Sequence, residues 1–262
     1  MRQKENNQDL LTFGGHLEVL RKLLFRISGV TVCMAVIIFS FKNETFSLLL
    51  APSEWNFVTY RKIEYIMKLI VTDFHFDSFY VDLIATDLSS QFMTHLSASL
   101  YLGLLGASPY ILYELFRFVS PALDDSEKKY SIRIVAIVYL LFIFGVLMSY
   151  YVLFPISFRF LGTYSVSEKI HSTITLDSYI STFVTLTLLM GVVFQLPVIS
   201  YILGKMGIVN ARLMSHYRKH AFLIIMFVAA VITPPDLMTL ILVTIPLYLL
   251  YEVSIRVVKM AN

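Results

Sequence analysis

The 262-residue chain is 57% hydrophobic and 15% aromatic, with a mean hydropathy of +0.73; a soluble domain could not hide so much apolar surface, so the composition indicates a polytopic membrane protein. The net charge of +3 says little alone and gives no reason to expect a nucleic-acid partner. The single cysteine, Cys33, excludes an intrachain disulfide framework and is read as helix packing.

Asp, Glu, Lys and Arg are absent from residues 27–41, 88–113, 134–158, 178–204, 221–235 and 237–251. A helix rises about 1.5 Å per residue and the hydrocarbon layer is about 30 Å thick, so about 20 apolar residues cross it. These runs predict an all-α chain of six transmembrane helices in a single membrane domain, over 23–41, 90–113, 134–157, 179–203, 220–235 and 237–254. No small-residue cleavage site closes the first run, which is read as a retained helix. Fifteen of the 21 basic residues fall on the side of the two termini, and the positive-inside rule then places both termini in the cytoplasm.

In chain order, residues 1–22 form a polar arm that runs into an amphipathic start of helix 1, with Leu17, Leu20, Leu23 and Leu24 at helical spacing. The outer loop 42–89 holds Pro52 and the only tryptophan, Trp55, and is predicted to be an ordered cap with short helices. Helix 2 is expected to end near Glu114, before an inner loop carrying Pro121, Asp124, Asp125, Glu127, Lys128 and Lys129. Helix 3 contains Gly145 and is expected to end at Pro155; helix 4 carries Gln195 and Pro197, and the inner loop 205–219 is purely basic. The last two runs, at 15 uncharged residues each, make helices of about 22 Å, short of the hydrocarbon thickness. Either the turn Thr233-Pro234-Pro235-Asp236 sits deep and the bilayer thins, or flanking polar residues snorkel.

Motifs for covalent chemistry are missing: there is no His-Glu-x-x-His, no Gly-x-Ser-Gly and no phosphate-cradling glycine loop. No cofactor is expected. His216 and His220, four apart, can share a helical face but lie among cations, which favours a solvated basic surface over a metal. His95 is read as an interior hydrogen-bonded residue. The long spans hold no carboxylate of the kind a proton-coupled carrier uses as a relay, which makes a six-span small-solute carrier the alternative rather than the first reading. What the inner surface offers is binding: Glu18 and Glu127 can each accept a guanidinium in a bidentate pair, with Phe118 as an apolar neighbour.

The runs His16-Leu17-Glu18-Val19-Leu20-Arg21-Lys22, Ser108-Pro109-Tyr110-Ile111-Leu112-Tyr113-Glu114, Phe118-Val119-Ser120-Pro121-Ala122-Leu123 with Glu127-Lys128-Lys129, Phe194-Gln195-Leu196-Pro197, Thr233-Pro234-Pro235-Asp236 and Ile245-Pro246-Leu247-Tyr248, in this order, resemble the TatC family of the twin-arginine protein translocase. The resemblance covers nearly the whole chain. It implies a cup-like bundle in a bacterial cytoplasmic (inner) membrane, or less favoured an organelle inner membrane, with no catalysis and transport driven by the proton-motive force. It also implies recognition of twin-arginine signal peptides on folded precursors by Glu18, Arg21, Phe118 and Glu127. Small single-span subunits of the TatA/TatB type would contact Gln195, Thr233, Pro234, Pro235 and Asp236, in a complex holding more than one copy of the chain. Three features depart from the family: Val19 stands where a second acid follows the opening histidine, Gln195 replaces a glutamate, and the outer loop carries an insertion over about 59–77.

Overall fold

The first helix, α1 (Phe13–Ser40), carries the amphipathic start unbroken into the first span. Its partner is α4 (Ser90–Val119), against which it lies along much of its length. Gly103 permits the approach: a Cβ there would stand 2.8 Å from the backbone of Ala35, which is itself buried. Small residues at a crossing let helices make close van der Waals contact where lipid supplies no hydrophobic drive. The opposite face of α1 leaves Phe25, Val32 and Val36 exposed, as a lipid-facing surface requires. The structure is a computed structural model that describes residues 13–71, 78–119, 131–167 and 173–261.

The outer loop folds into the expected cap: α2 (Lys42–Leu50), a 3-10 turn at Ala51–Ser53, and α3 (Val58–Ile70), which fills much of the inserted stretch. The fold is all-α as expected, with a single two-residue parallel ladder among the described residues, β1 (Leu83–Ile84) with β2 (Ile174–Thr175), joining the two outer loops.

The third span does not end at Pro155. It runs through α5 (Ser131–Met148), a π turn at Ser149–Leu153 and α6 (Phe154–Thr163). Proline removes a donor and crowds the preceding turn, and a π turn is one of the known ways to relieve that crowding. The carbonyl a turn earlier, on Tyr151, accepts a hydrogen bond from the Thr59 hydroxyl of the cap instead. The Tyr60 hydroxyl lies between the carbonyls of Pro52 and Pro155 at 2.9 and 2.8 Å, and Tyr179 donates to the Leu49 carbonyl at 2.8 Å. The cap is thus fastened to the helices through side-chain hydroxyls that donate to backbone carbonyls.

Helix 4 is not continuous either: α7 (Leu176–Val193) breaks at Phe194–Gln195 before α8 (Leu196–Lys205), because Pro197 has no N–H to give back. Then come α9 (Ala211–His216), α10 (Arg218–Ile232) and α11 (Leu237–Ala261). Five of these helical stretches are long and apolar enough to cross a membrane, and α10, at 15 residues, is the short sixth. The expectation that both final helices are short is corrected for α11, whose 25 residues reach about 37 Å. It extends past Tyr251 because Glu252 pairs with Arg218 in two bonds of 2.7 and 3.0 Å, so the charge that ended the apolar run does not end the helix.

The core lies where α6, α7, α10 and α11 meet, around Phe154, Phe158, Tyr179 and Phe183. The rings of Phe154 and Tyr179 stand edge to face at 5.0 Å, the geometry their quadrupoles favour.

Candidate recognition groove

Because α1 and α4 pack lengthwise, the start of one meets the end of the other. Val19, Lys22, Leu23 and Arg26 from α1 face Glu114, Arg117 and Phe118 from α4 across a groove of about 230 Å³. Helix 2 continues past the expected boundary to Val119, and this places Glu114 inside a helix rather than at its end.

Of the four residues expected to read a signal peptide, Phe118 lines this groove, half-buried. Glu18 sits one turn from it, in an i,i+4 pair with Lys22 at 2.7 Å; both side chains are exposed, so the pair adds little stability. Arg21 is exposed and outside the groove lining. Glu127 lies outside the described residues. Val19, where the resemblance leads one to expect an acid, forms part of the wall.

Glu114 is the residue that sequence reasoning missed. Its side chain is only 7% exposed, and Arg26 Nη1 stands 3.7 Å from Oε1. Tyr110, one turn back, donates to the same oxygen at 3.2 Å. The available signal was its isolation: Glu114 is the only acid between Asp87 and Asp124.

The second group, Gln195 with Thr233 to Asp236, does not come together. Gln195 is buried, and its Nε2 donates to Val138 O on α5 at 3.1 Å and to Gly191 O at 3.4 Å. The Gln195 backbone N–H bonds Val192 O at the break, so the side chain supplies the donor that Gly191 O would have had in an unbroken helix. At the hairpin, Asp236 Oδ1 caps α11 by accepting from the Thr239 N–H at 2.7 Å, and buried Thr233 donates to Ala229 O at 3.0 Å. Pro235 is exposed. Among the described residues no hydrogen bond joins Gln195 to the hairpin.

His216 and His220 do not share one helix, since the chain breaks at Tyr217 between α9 and α10. No metal-binding cluster forms among the described residues. His95 is interior, as expected, stacked on Phe39 at 4.1 Å and hydrogen-bonded to the Phe39 backbone, while its Nε2 has no partner among the described residues. A larger apolar cavity of about 680 Å³ opens between α5, α8 and α11, lined by Phe144, Phe194, Pro197, Tyr201 and Val253 among others.

With this geometry in view, residues 15–246 match the family described as Sec-independent protein translocase protein (TatC). A protein of that name from Blattabacterium sp. subsp. Periplaneta americana is 34% identical over 97% of both chains, and one from Carboxydothermus hydrogenoformans is 32% identical over 95% of this chain and 93% of its own. A crystal structure titled twin arginine translocase receptor TatC superposes with a TM-score of 0.74 at 30% identity, covering 94% of this chain and 99% of the other.

Proposed function

The chain belongs to the TatC family, and from that premise we propose that the groove between α1 and α4 is where it reads the arginine pair of a signal peptide. Family membership makes it a subunit of the twin-arginine translocation complex, a multi-pass protein of the bacterial cytoplasmic membrane and a component of protein transport. The observation that carries the proposal is the groove itself, which combines an apolar and aromatic wall (Val19, Leu23, Phe118) with a buried carboxylate on the side of the termini. A guanidinium–carboxylate pair is strongest where water does not compete for it, and apolar walls supply that exclusion.

In this reading Glu18, at the groove's edge, and Glu127, which follows α4 in the sequence, accept guanidinium protons, Phe118 covers the arginine plane, and Arg21 holds the rim. The apolar part of the signal then lies along exposed helix faces. Both termini are cytoplasmic, the side from which folded precursors arrive, and the proton-motive force drives transport. The chain performs no covalent chemistry and holds no cofactor. Small single-span subunits pack against the outward face of α10, where Leu223, Ile224, Phe227 and Val231 are all more than 60% exposed, and against the hairpin at Pro235. Gln195 contributes by fixing the break in helix 4, since its amide is spent within the chain.

Site-specific photo-crosslinking from position 127 tests the reading, using a precursor with its arginine pair and one with lysines in their place. Crosslinks to the arginine precursor alone are expected. Equal labelling of both would remove the groove's role as receptor.

A further inference from the structure

The resemblance draws attention to carboxylates on the arm and the loop, but the carboxylate that the fold buries inside the groove is Glu114. We propose that Glu114 is itself a guanidinium acceptor for the signal's arginine pair, and that Arg26 occupies it in the free protein as an internal stand-in that the incoming arginine displaces. This inference rests on the receptor reading above.

Three observations carry it. First, Glu114 is a nearly buried carboxylate with few partners among the described residues. An ionised carboxylate offers about four acceptor positions, yet among the described residues its side chain accepts one hydrogen bond, from Tyr110 at 3.2 Å. Second, its cation is loose. Arg26 Nη1 stands 3.7 Å away, whereas a charge-assisted guanidinium bond closes to about 2.7–2.9 Å, so among the described residues charge is balanced and hydrogen-bonding capacity is left over. Third, the two partners differ in freedom. Arg26 is 56% exposed and can return to water, while Glu114 at 7% cannot. A buried charge left without a partner is strongly penalised, so Glu114 needs a cation in every state.

Exchanging one guanidinium for another satisfies that need without a net change of charge. A guanidinium arriving with a planar fork can take both carboxylate oxygens, which Arg26 does not do from the helix beside it. Lysine brings a point charge without the fork, so the exchange also discriminates arginine from lysine. Val19 leaves room in this arrangement. With no acid one position after Glu18, the α1 side of the groove holds no carboxylate among its lining residues, and the acceptor is supplied from α4.

The test uses the full-length protein in nanodiscs and two labelled synthetic signal peptides, one with paired arginines and one with paired lysines. The parent is expected to prefer the arginine peptide. Glu114→Gln, which keeps shape and the Tyr110 bond, should weaken the arginine peptide by about tenfold or more and bring the two peptides close to equal affinity, as loss of a charge-assisted pair requires. Glu114→Asp should retain most of the preference. Arg26→Gln should tighten the arginine peptide several-fold by removing the competitor. If Glu114→Gln binds like the parent while Glu127→Ala does not, the receptor reading stands and the role of Glu114 is refuted. If Arg26→Gln leaves affinity unchanged or weaker, the displacement is refuted. A parent that binds neither peptide, or both equally, overturns the receptor reading itself and this inference with it.

Discussion

At the scale of single residues, tolerance follows from what each side chain would meet. A Cβ on Gly145 would fall 2.6 Å from Met190 O and 2.9 Å from the Phe194 ring, so Gly145→Ala must push α5 away from α7. Overpacking of this kind costs about 1–3 kcal/mol, and thermal unfolding in detergent should show a clear drop. Gly29, with nothing within 4 Å of its added Cβ, is the contrast: Gly29→Ala should hold or raise stability, since alanine is the better helix former. Equal losses at both positions would contradict the packing account. The same scale explains what the sequence concealed. Glu18 and Phe118 were legible as site candidates because their neighbours in the chain resemble a known family. Glu114 was not, because its burial depends on Arg26 and on α4 continuing beyond it, and neither follows from local spacing. Gln195 was legible as a departure from the family, but its purpose, bridging Val138 O and Gly191 O, appears only when α5 is placed beside the break.

At the scale of elements, the six apolar helices and the ordered cap were readable from hydropathy and charge, while breaks and extensions were not. Proline marks a lost donor, yet whether a helix stops, bends or adopts a π turn depends on who takes the freed carbonyl. At Pro155 the cap takes it, and the helix goes on. Tyr60 tests that attachment. Burial pushes its phenol above the usual range, outweighing the nearby Arg159 cation, so the hydroxyl remains a donor. A folded pKa raised above the unfolded value of about 10 means that this stabilisation is complete below pH ~10 and is lost as pH rises beyond it. Tyr60→Phe should therefore lower the melting temperature at neutral pH and flatten its decline above about pH 10; a parallel decline in both proteins would refute the assignment. The short helix gives a second prediction. With α11 long, the mismatch belongs to α10 alone, and inserting four leucines there adds about 6 Å. If the short span thins the bilayer, transport should fall while signal-peptide binding persists; full transport by the lengthened protein would end the thinning hypothesis.

At the scale of the whole molecule, the distribution of charge and the position of the groove make one joint claim. The positive-inside rule counts Lys and Arg near span ends, and 15 of the 21 lie on the side of the termini. The groove is built at the start of α1 and the end of α4, so it opens on that same side, whereas α3 and the β1–β2 ladder belong to the other. Orientation therefore decides whether the groove can meet a folded precursor before export. It can be measured with single cysteines in a Cys33→Ser background at Gln3, Tyr65 and Asn262, Tyr65 being 68% exposed in the cap. A membrane-impermeant maleimide applied to intact spheroplasts should label Tyr65→Cys alone, and the two terminal positions only after permeabilisation. An even number of crossings requires the termini to behave alike. Labelling of one terminus and not the other would mean that α10 does not cross, leaving the five long helices as the only spans. Labelling of both termini from outside would turn the groove away from the cytoplasm and remove the premise on which arginine recognition there depends.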